Sequence, residues 1–186
     1  MSKIDIGVIV GSLRRDSFSK KIAIEVSGMM PENFNMKYVD IGNLVLFNQD
    51  FDDDGNTPEE WIAFRAEIKA LQGYLFVTPE YNRSFPPVLK NALDIASRPY
   101  GENVWSGKPG AIISVSPGRQ GGFGANHHLR QIMMSLNIYM MQQPEVYLGN
   151  VTDVLDEKGE VTNEGTRGFL RNVTESYAQW ISRFVD

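Results

Sequence analysis

The sequence predicts an α/β protein: an open, mostly parallel sheet with helices on both faces. Three observations carry this. Short apolar runs rich in β-branched and aromatic residues recur along the chain, as expected of strands buried on both faces. Amphipathic helical stretches alternate with them, and that alternation builds parallel sheets through right-handed crossovers. The length of 186 residues, with 42% hydrophobic and 22% charged side chains, suits a single domain over 1–186 with one substantial core.

The elements run in order along the chain. The first strand is Ile4–Val10, and 36–41, 74–78 and 111–115 are the next three. A fifth lies at 139–141 or at Val146–Leu148, with Pro144 interrupting. Helix 18–30 has apolar residues at 18, 22, 23, 26, 29 and 30, one face of a helix, and Pro31 stops it. Helix 58–71 starts with Thr57 as N-cap and Pro58 at the first helical position. Helices at 88–96, 124–136 and 166–185 complete the set. The acidic stretch DFDDDGN, 50 to 56, reads as solvated surface, and 150 to 165 as an exposed loop or small hairpin.

Composition excludes several functions. With a net charge of −5, general affinity for nucleic acid is not expected. No cysteine is present, so disulfides, thiol nucleophiles and cysteine-ligated metals are excluded. MSKIDIGVIVGS shows no signal-peptide pattern, and no apolar run is long enough for a bilayer. The expectation is a cytoplasmic protein without membrane insertion.

In open α/β sheets, ligands bind beyond the carboxyl ends of the strands, so the loops after the strands carry the functional information. After the first strand comes GSLRRDSFS. It is neither a P-loop nor a GxGxxG fingerprint. It offers hydroxyls at Ser12, Ser17 and Ser19, guanidinium groups at Arg14 and Arg15, and a helix start whose free amides and dipole favour an anion. The same residues would also serve as a serine N-cap with two solvated arginines. After the third strand comes TPEYNRSFPPVLKNALD, where Glu80, Tyr81 and Asn82 sit at the rim and Pro86-Pro87 stiffen the return. A rigid loop with amides and an aromatic ring suits a flat heteroaromatic guest, or is a turn capped by Asn82. After the fourth strand comes SVSPGRQGGFGANHHLRQ, whose glycines at 118, 121, 122 and 124 permit close backbone approach. His127 and His128 are neighbours on a helix and point to different faces, a poor metal pair; one exposed and one partly buried is expected. There is no GxSxG elbow, and Ser12 or Ser116 as a nucleophile would lack the base and orienting carboxylate it needs.

GSLRRDSFSKKIA, VTPEYNRSFPPVLKNALDIAS and SPGRQGGFGANHHLRQIM together resemble the NAD(P)H-dependent FMN reductase family, and within it the quinone and chromate reductase branch. The resemblance implies a flavodoxin-like three-layer fold, with a five-stranded parallel sheet in the order 2-1-3-4-5. It implies non-covalent FMN, with NADPH or NADH as co-substrate. Carried over, Ser12, Arg14, Ser17, Phe18 and Ser19 would hold the FMN phosphate. Pro79, Glu80, Tyr81 and Asn82 would line the isoalloxazine ring, with Arg83 beside it, and Ser116, Gly118, Gly121 and Gly122 would close its other edge. Ser19 departs from the asparagine of many relatives, which implies a rearranged phosphate bond. The implied chemistry is ping-pong hydride transfer through FMN to small acceptors: quinones, flavins, azo and nitro compounds, or chromate. No side chain need act as general acid, and the backbone amides of 81–83 or of the glycine loop would stabilise charge on reduced flavin. The resemblance also implies a homodimer or homotetramer, with 46–51 and 133–141 as interface pieces. The alternative is a flavodoxin-type electron carrier or FMN-binding module that does not oxidise NAD(P)H directly.

Overall fold

The computed structural model describes residues 3–185. Six strands alternate with six helices: β1 Ile4–Val10, α1 Phe18–Met29, β2 Phe34–Tyr38, α2 Asp50–Asp53, α3 Glu59–Ala70, β3 Gly73–Pro79, α4 Pro87–Ala96, β4 Pro109–Val115, α5 Phe123–Ser135, β5 Tyr139–Met140, β6 Val146–Leu148 and α6 Glu164–Ile181. The sheet is parallel throughout, in the order β2-β1-β3-β4-β5. β6 also bonds to β4. β5 pairs with Pro109 and Gly110 at the start of β4, and β6 with Ile113 to Val115 at its end. The fifth position is therefore one strand broken in two around Pro144, which has no N–H to give.

Alternating side chains of each strand enter opposite layers. Ile6, Val8, Leu75, Val77 and Ile113 pack under α1 and α6. Ile9, Tyr74, Phe76 and Ile112 pack under α3, α4 and α5, around Trp61 and Trp105. Each such fully buried side chain stabilises the fold by roughly 1.5–3 kcal/mol. β2 lies two residues earlier than its apolar run predicts. Phe34 is buried, whereas Asn35, Lys37 and Tyr38 are exposed. An edge strand alternates instead of running apolar, and the buried Val39 and Ile41 follow it as loop.

Two local expectations are corrected. Thr57 does not cap α3. Pro58 occupies that position without a side-chain bond, and the Thr57 hydroxyl donates to Asp52 Oδ1 at 2.8 Å. The acidic stretch is not all solvated surface: Asp50–Asp53 forms α2, and the Asp52 side chain is only 4% exposed. Its carboxylate receives Arg65 Nη1 and Nη2 at 2.8 and 2.6 Å, tying α2 to α3. The last helix ends at Ile181, four residues before the predicted 185, and Phe184 beyond it stacks on Tyr139.

The Arg65 bonds lower the Asp52 pKa below its ordinary 3.8. A depressed carboxylate contributes stability above its unfolded pKa and loses it as pH falls through the folded one. Asp52→Asn should therefore lower unfolding free energy at pH 7 by roughly 3 kcal/mol, because it strands a buried guanidinium. Urea denaturation should show that deficit shrinking as pH drops below 3.8.

Candidate functional site

All central strands end at one edge of the sheet, and the site is built from the loops beyond those ends. β1 runs into Gly11, whose N–H bonds the Val77 carbonyl at 2.9 Å. A Cβ at Gly11 would lie 2.9 Å from Thr78 Oγ1, so glycine is what lets the loop leave β1 hard against β3. The chain then passes Ser12 to Asp16 and enters α1 at Ser17. The Ser17 hydroxyl accepts the Lys20 amide at 3.2 Å, an N-cap. The amides of Phe18 and Ser19 have no protein partner. The Ser19 hydroxyl is buried, 1% exposed, and also has no partner.

These groups wall a cavity of about 90 Å³. Ser12, Arg14, Ser17, Phe18 and Ser19 form one side of it. Pro79, Glu80 and Tyr81 form a second, and Ser116 a third, together with Val115 and Pro117. Nine of the residues singled out in the sequence thus converge. Val115 and Pro117 escaped notice because they carry no chemistry; only their place at a strand end marks them. The volume is well below the roughly 300–1,000 Å³ of pockets that engulf a whole small ligand. It suits a phosphate, with a larger group lying outside along the loops. An unpartnered buried hydroxyl, free first-turn amides and an arginine make a fit for that anion.

The other predicted residues form the lips of the cleft. Tyr81 and Ser84 exchange backbone bonds of 2.8 and 3.0 Å, closing a two-residue hairpin. Asn82 and Arg83 at its tip have φ of 51° and 69°. Successive left-handed residues give the mirror-image turn that hairpins favour. Non-glycine residues held there store strain, of the kind that clusters at ligand sites. Their N–H groups are not used by the hairpin and stand free at the rim. Gly121 and Gly122 sit deeper, at φ of 59° and 76°. A Cβ at Gly121 would lie 2.4 Å from the Tyr147 backbone, so Gly121 presses the loop onto the end of β6. Gly118 turns the loop, its carbonyl accepting from the Gly121 and Asn150 amides.

Glu80 joins the two lips, a role the sequence did not disclose. Its Oε2 accepts the Ala125 amide at 3.1 Å, in the first turn of α5. Its Oε1 lies 3.5 Å from Arg83, which also bonds the Gln120 side chain. The available signal was an absence: the N-cap of α5 is Gly122, which has no side chain to cap the helix, so its first-turn amides need an outside acceptor. His127 is half-buried and His128 exposed, as expected. His127 bonds the Tyr147 hydroxyl at 3.0 Å; burial first, and then Glu145, push that phenol up to about 12, so it stays neutral. Among the described residues no cluster of His, Cys, Asp and Glu could hold a metal, and no helix is long and apolar enough to cross a membrane.

Fold and site together define a flavodoxin-like protein with a small polar cavity at the end of the first strand, bordered by the loops after β3 and β4. Residues 4–153 match the sequence model of the NADPH-dependent FMN reductase family, and the chain belongs to that family. It is accordingly a flavin-dependent oxidoreductase. It is 47% identical over 182 residues to a quinone reductase of Pseudomonas putida, covering 97% of both chains. It is 48% identical to a 2-hydroxy-1,4-benzoquinone reductase of Burkholderia sp, covering 96% of both. The solved structure of FerB, a flavoenzyme NAD(P)H:(acceptor) oxidoreductase of Paracoccus denitrificans, superimposes with a TM-score of 0.90 at 35% identity, over 97% of this chain and 98% of that one.

The two buried serines should separate on mutation. Ser17→Ala removes a cap and should destabilise the FMN-free protein by about 1 kcal/mol. Ser19→Ala removes a hydroxyl with no partner and should leave FMN-free stability unchanged or raised. Thermal melts without and with FMN check this: Ser19→Ala should lose much of the rise in Tm that FMN gives the parent.

Proposed function

We propose that this chain is an NAD(P)H-dependent reductase that holds FMN non-covalently and reduces quinones or small acceptors of comparable chemistry, such as flavins, azo and nitro compounds and chromate. The observation that carries the reading is the buried, unpartnered Ser19 hydroxyl in a phosphate-sized cavity, flanked by a rigid, strained lip. The names of the Pseudomonas and Burkholderia relatives support quinones as the acceptor class.

In this reading, Ser12, Ser17, Ser19, the amides of Phe18 and Ser19, and Arg14 bind the FMN phosphate. The hairpin from Pro79 to Arg83 borders one edge of the ring. Ser116 and Gly118 border the other, and Gly121 and Gly122 hold that loop in place. When bound there, FMN would supply the redox chemistry that links NAD(P)H to the acceptor. The protein's own work is positioning and electrostatics. Glu80 fixes the separation of the lips, and the free amides of Asn82 and Arg83 offer donors where negative charge develops. No side chain is assigned as a proton donor.

We also place the protein in the cytoplasm as a homodimer or homotetramer. Leu46 and Met134, 77% and 79% exposed within the two candidate interface segments, support self-association.

The test is an absorption spectrum of the purified protein with FMN, repeated after anaerobic NADPH and NADH. Bound flavin bands should bleach, and initial rates with a quinone should give parallel double-reciprocal lines. Flavin that stays oxidised with both nicotinamides would replace the reductase by an electron carrier. Arg14→Ala should weaken FMN affinity about tenfold, the worth of one charge-assisted bond, with the fold intact. Unchanged affinity would remove Arg14 from the phosphate site.

A further inference from the structure

A second cleft, of about 380 Å³, lies on the far side of the β1 loop, between that loop, α1 and the end of β2. It shares Ser12 and Arg14 with the phosphate cavity, so one wall separates the two spaces. Val8, Val10, Val39 and Ile41 give it an apolar floor, and the Tyr38 ring, 45% exposed, stands at its side. Arg15 and Lys20 line it and take no part in the phosphate cavity. Among the described residues neither has a carboxylate within 4.0 Å. One carboxylate faces them, that of Asp40, whose Oδ1 is already bonded to the Gly42 amide at 2.8 Å.

We propose that this cleft receives the phosphorylated adenosine half of NADPH, with Arg15 and Lys20 binding its 2′-phosphate. The proposal rests on the reductase reading above and adds the donor to it. Three features carry it. The volume falls in the range of about 300–1,000 Å³ that holds half a dinucleotide, whereas the phosphate cavity does not. The lining pairs an apolar, aromatic bed for a base with cations free to take a dianion. The cleft also borders the same β1 loop as the FMN cavity, at the same edge of the sheet. Dinucleotide folds choose their donor by an acid that bonds the ribose 2′-hydroxyl or an arginine that accommodates the 2′-phosphate. Here both stand together, Asp40 against Arg15 and Lys20, and the cations outnumber the acid. Neither fingerprint is legible in the sequence, because the two strand ends that supply the groups lie far apart along the chain.

The experiment uses the FMN-saturated protein, so that the phosphate cavity is filled. Calorimetric titration with 2′,5′-ADP, 5′-AMP and inorganic phosphate is run on the parent and on Arg15→Ala/Lys20→Ala. The parent should bind 2′,5′-ADP at least tenfold tighter than 5′-AMP, and the double variant should lose that advantage. FMN affinity and Tm should not change. In steady state, kcat/KM for NADPH should fall about tenfold or more while that for NADH holds. Equal binding of 2′,5′-ADP by parent and variant would overturn the proposal. So would inorganic phosphate competing as well as 2′,5′-ADP, or NADH and NADPH falling together. If 2′,5′-ADP binding depends on Arg15 and Lys20 but neither nicotinamide reduces the flavin, the cleft stands and the reductase reading falls.

Discussion

One backbone hydrogen bond, from the Gly11 amide to the Val77 carbonyl, fixes where the functional part of the molecule begins. It extends the β1–β3 ladder one step past the last residue of β1 and holds the loop after β1 against Thr78. Every later piece of the site is measured from that point. α1 must start within reach of the loop, so Ser17 caps it there and the amides of Phe18 and Ser19 face the same space as Pro79 and Tyr81. A side chain at residue 11 would force β1 from β3 and open the cavity wall. The parallel sheet makes this possible, because parallel strands deliver all their carboxyl ends to one edge.

The second constraint acts across the cleft. The hairpin after β3 and the glycine loop after β4 belong to different crossovers, and the β3–β4 ladder sets only their roots. Their tips are set by Glu80 bonding the α5 amide and by Arg83 bonding Gln120. The carboxylate sits at a helix N-terminus, where the dipole favours a negative group. The same two residues that hold the lips together leave the Asn82 and Arg83 amides free. Strain in the left-handed tip is therefore maintained by bonds that themselves border the ligand space.

The layer order was legible in the sequence because burial on both faces leaves long apolar runs that few other structures explain. β1 is matched residue for residue, and β3 and β4 gain only flanking residues whose side chains are small or proline. β2 was misplaced for the same physical reason: an edge strand is covered less, so its pattern alternates and its apolar tail is loop. The convergence of Ser12, Arg14, Ser17 and Ser19 on one cavity was legible because serine, arginine and a helix start are local chemistry. The partners of Asp52 and Glu80 were not. Asp52 pairs with Arg65, 13 residues away, and Glu80 accepts the Ala125 amide, 45 residues away, and sequence spacing carries no trace of such tertiary contacts. The second cleft was hidden likewise, since Asp40 and Arg15 come to line one space only through the β1–β2 pairing.

Charge placement explains how an acidic chain can build an anion site. A net charge of −5 repels polyanions at a distance, yet screening confines that field to about 8 Å at physiological salt. Inside that range the α1 N-terminus, Arg14, Arg15 and Lys20 line the two spaces, against the carboxylates of Asp40 and Glu80, each of which already accepts a backbone amide. A buried hydroxyl with no partner costs roughly 1–3 kcal/mol, and Ser19 carries a hydroxyl with no protein partner. A phosphate that accepts from Ser19 relieves it, so part of the affinity comes from repairing the protein itself. A site of this kind resists being filled by apolar groups, because only an acceptor removes the penalty. In the proposed reading, selectivity for a phosphate end thus follows from the unpartnered Ser19 hydroxyl.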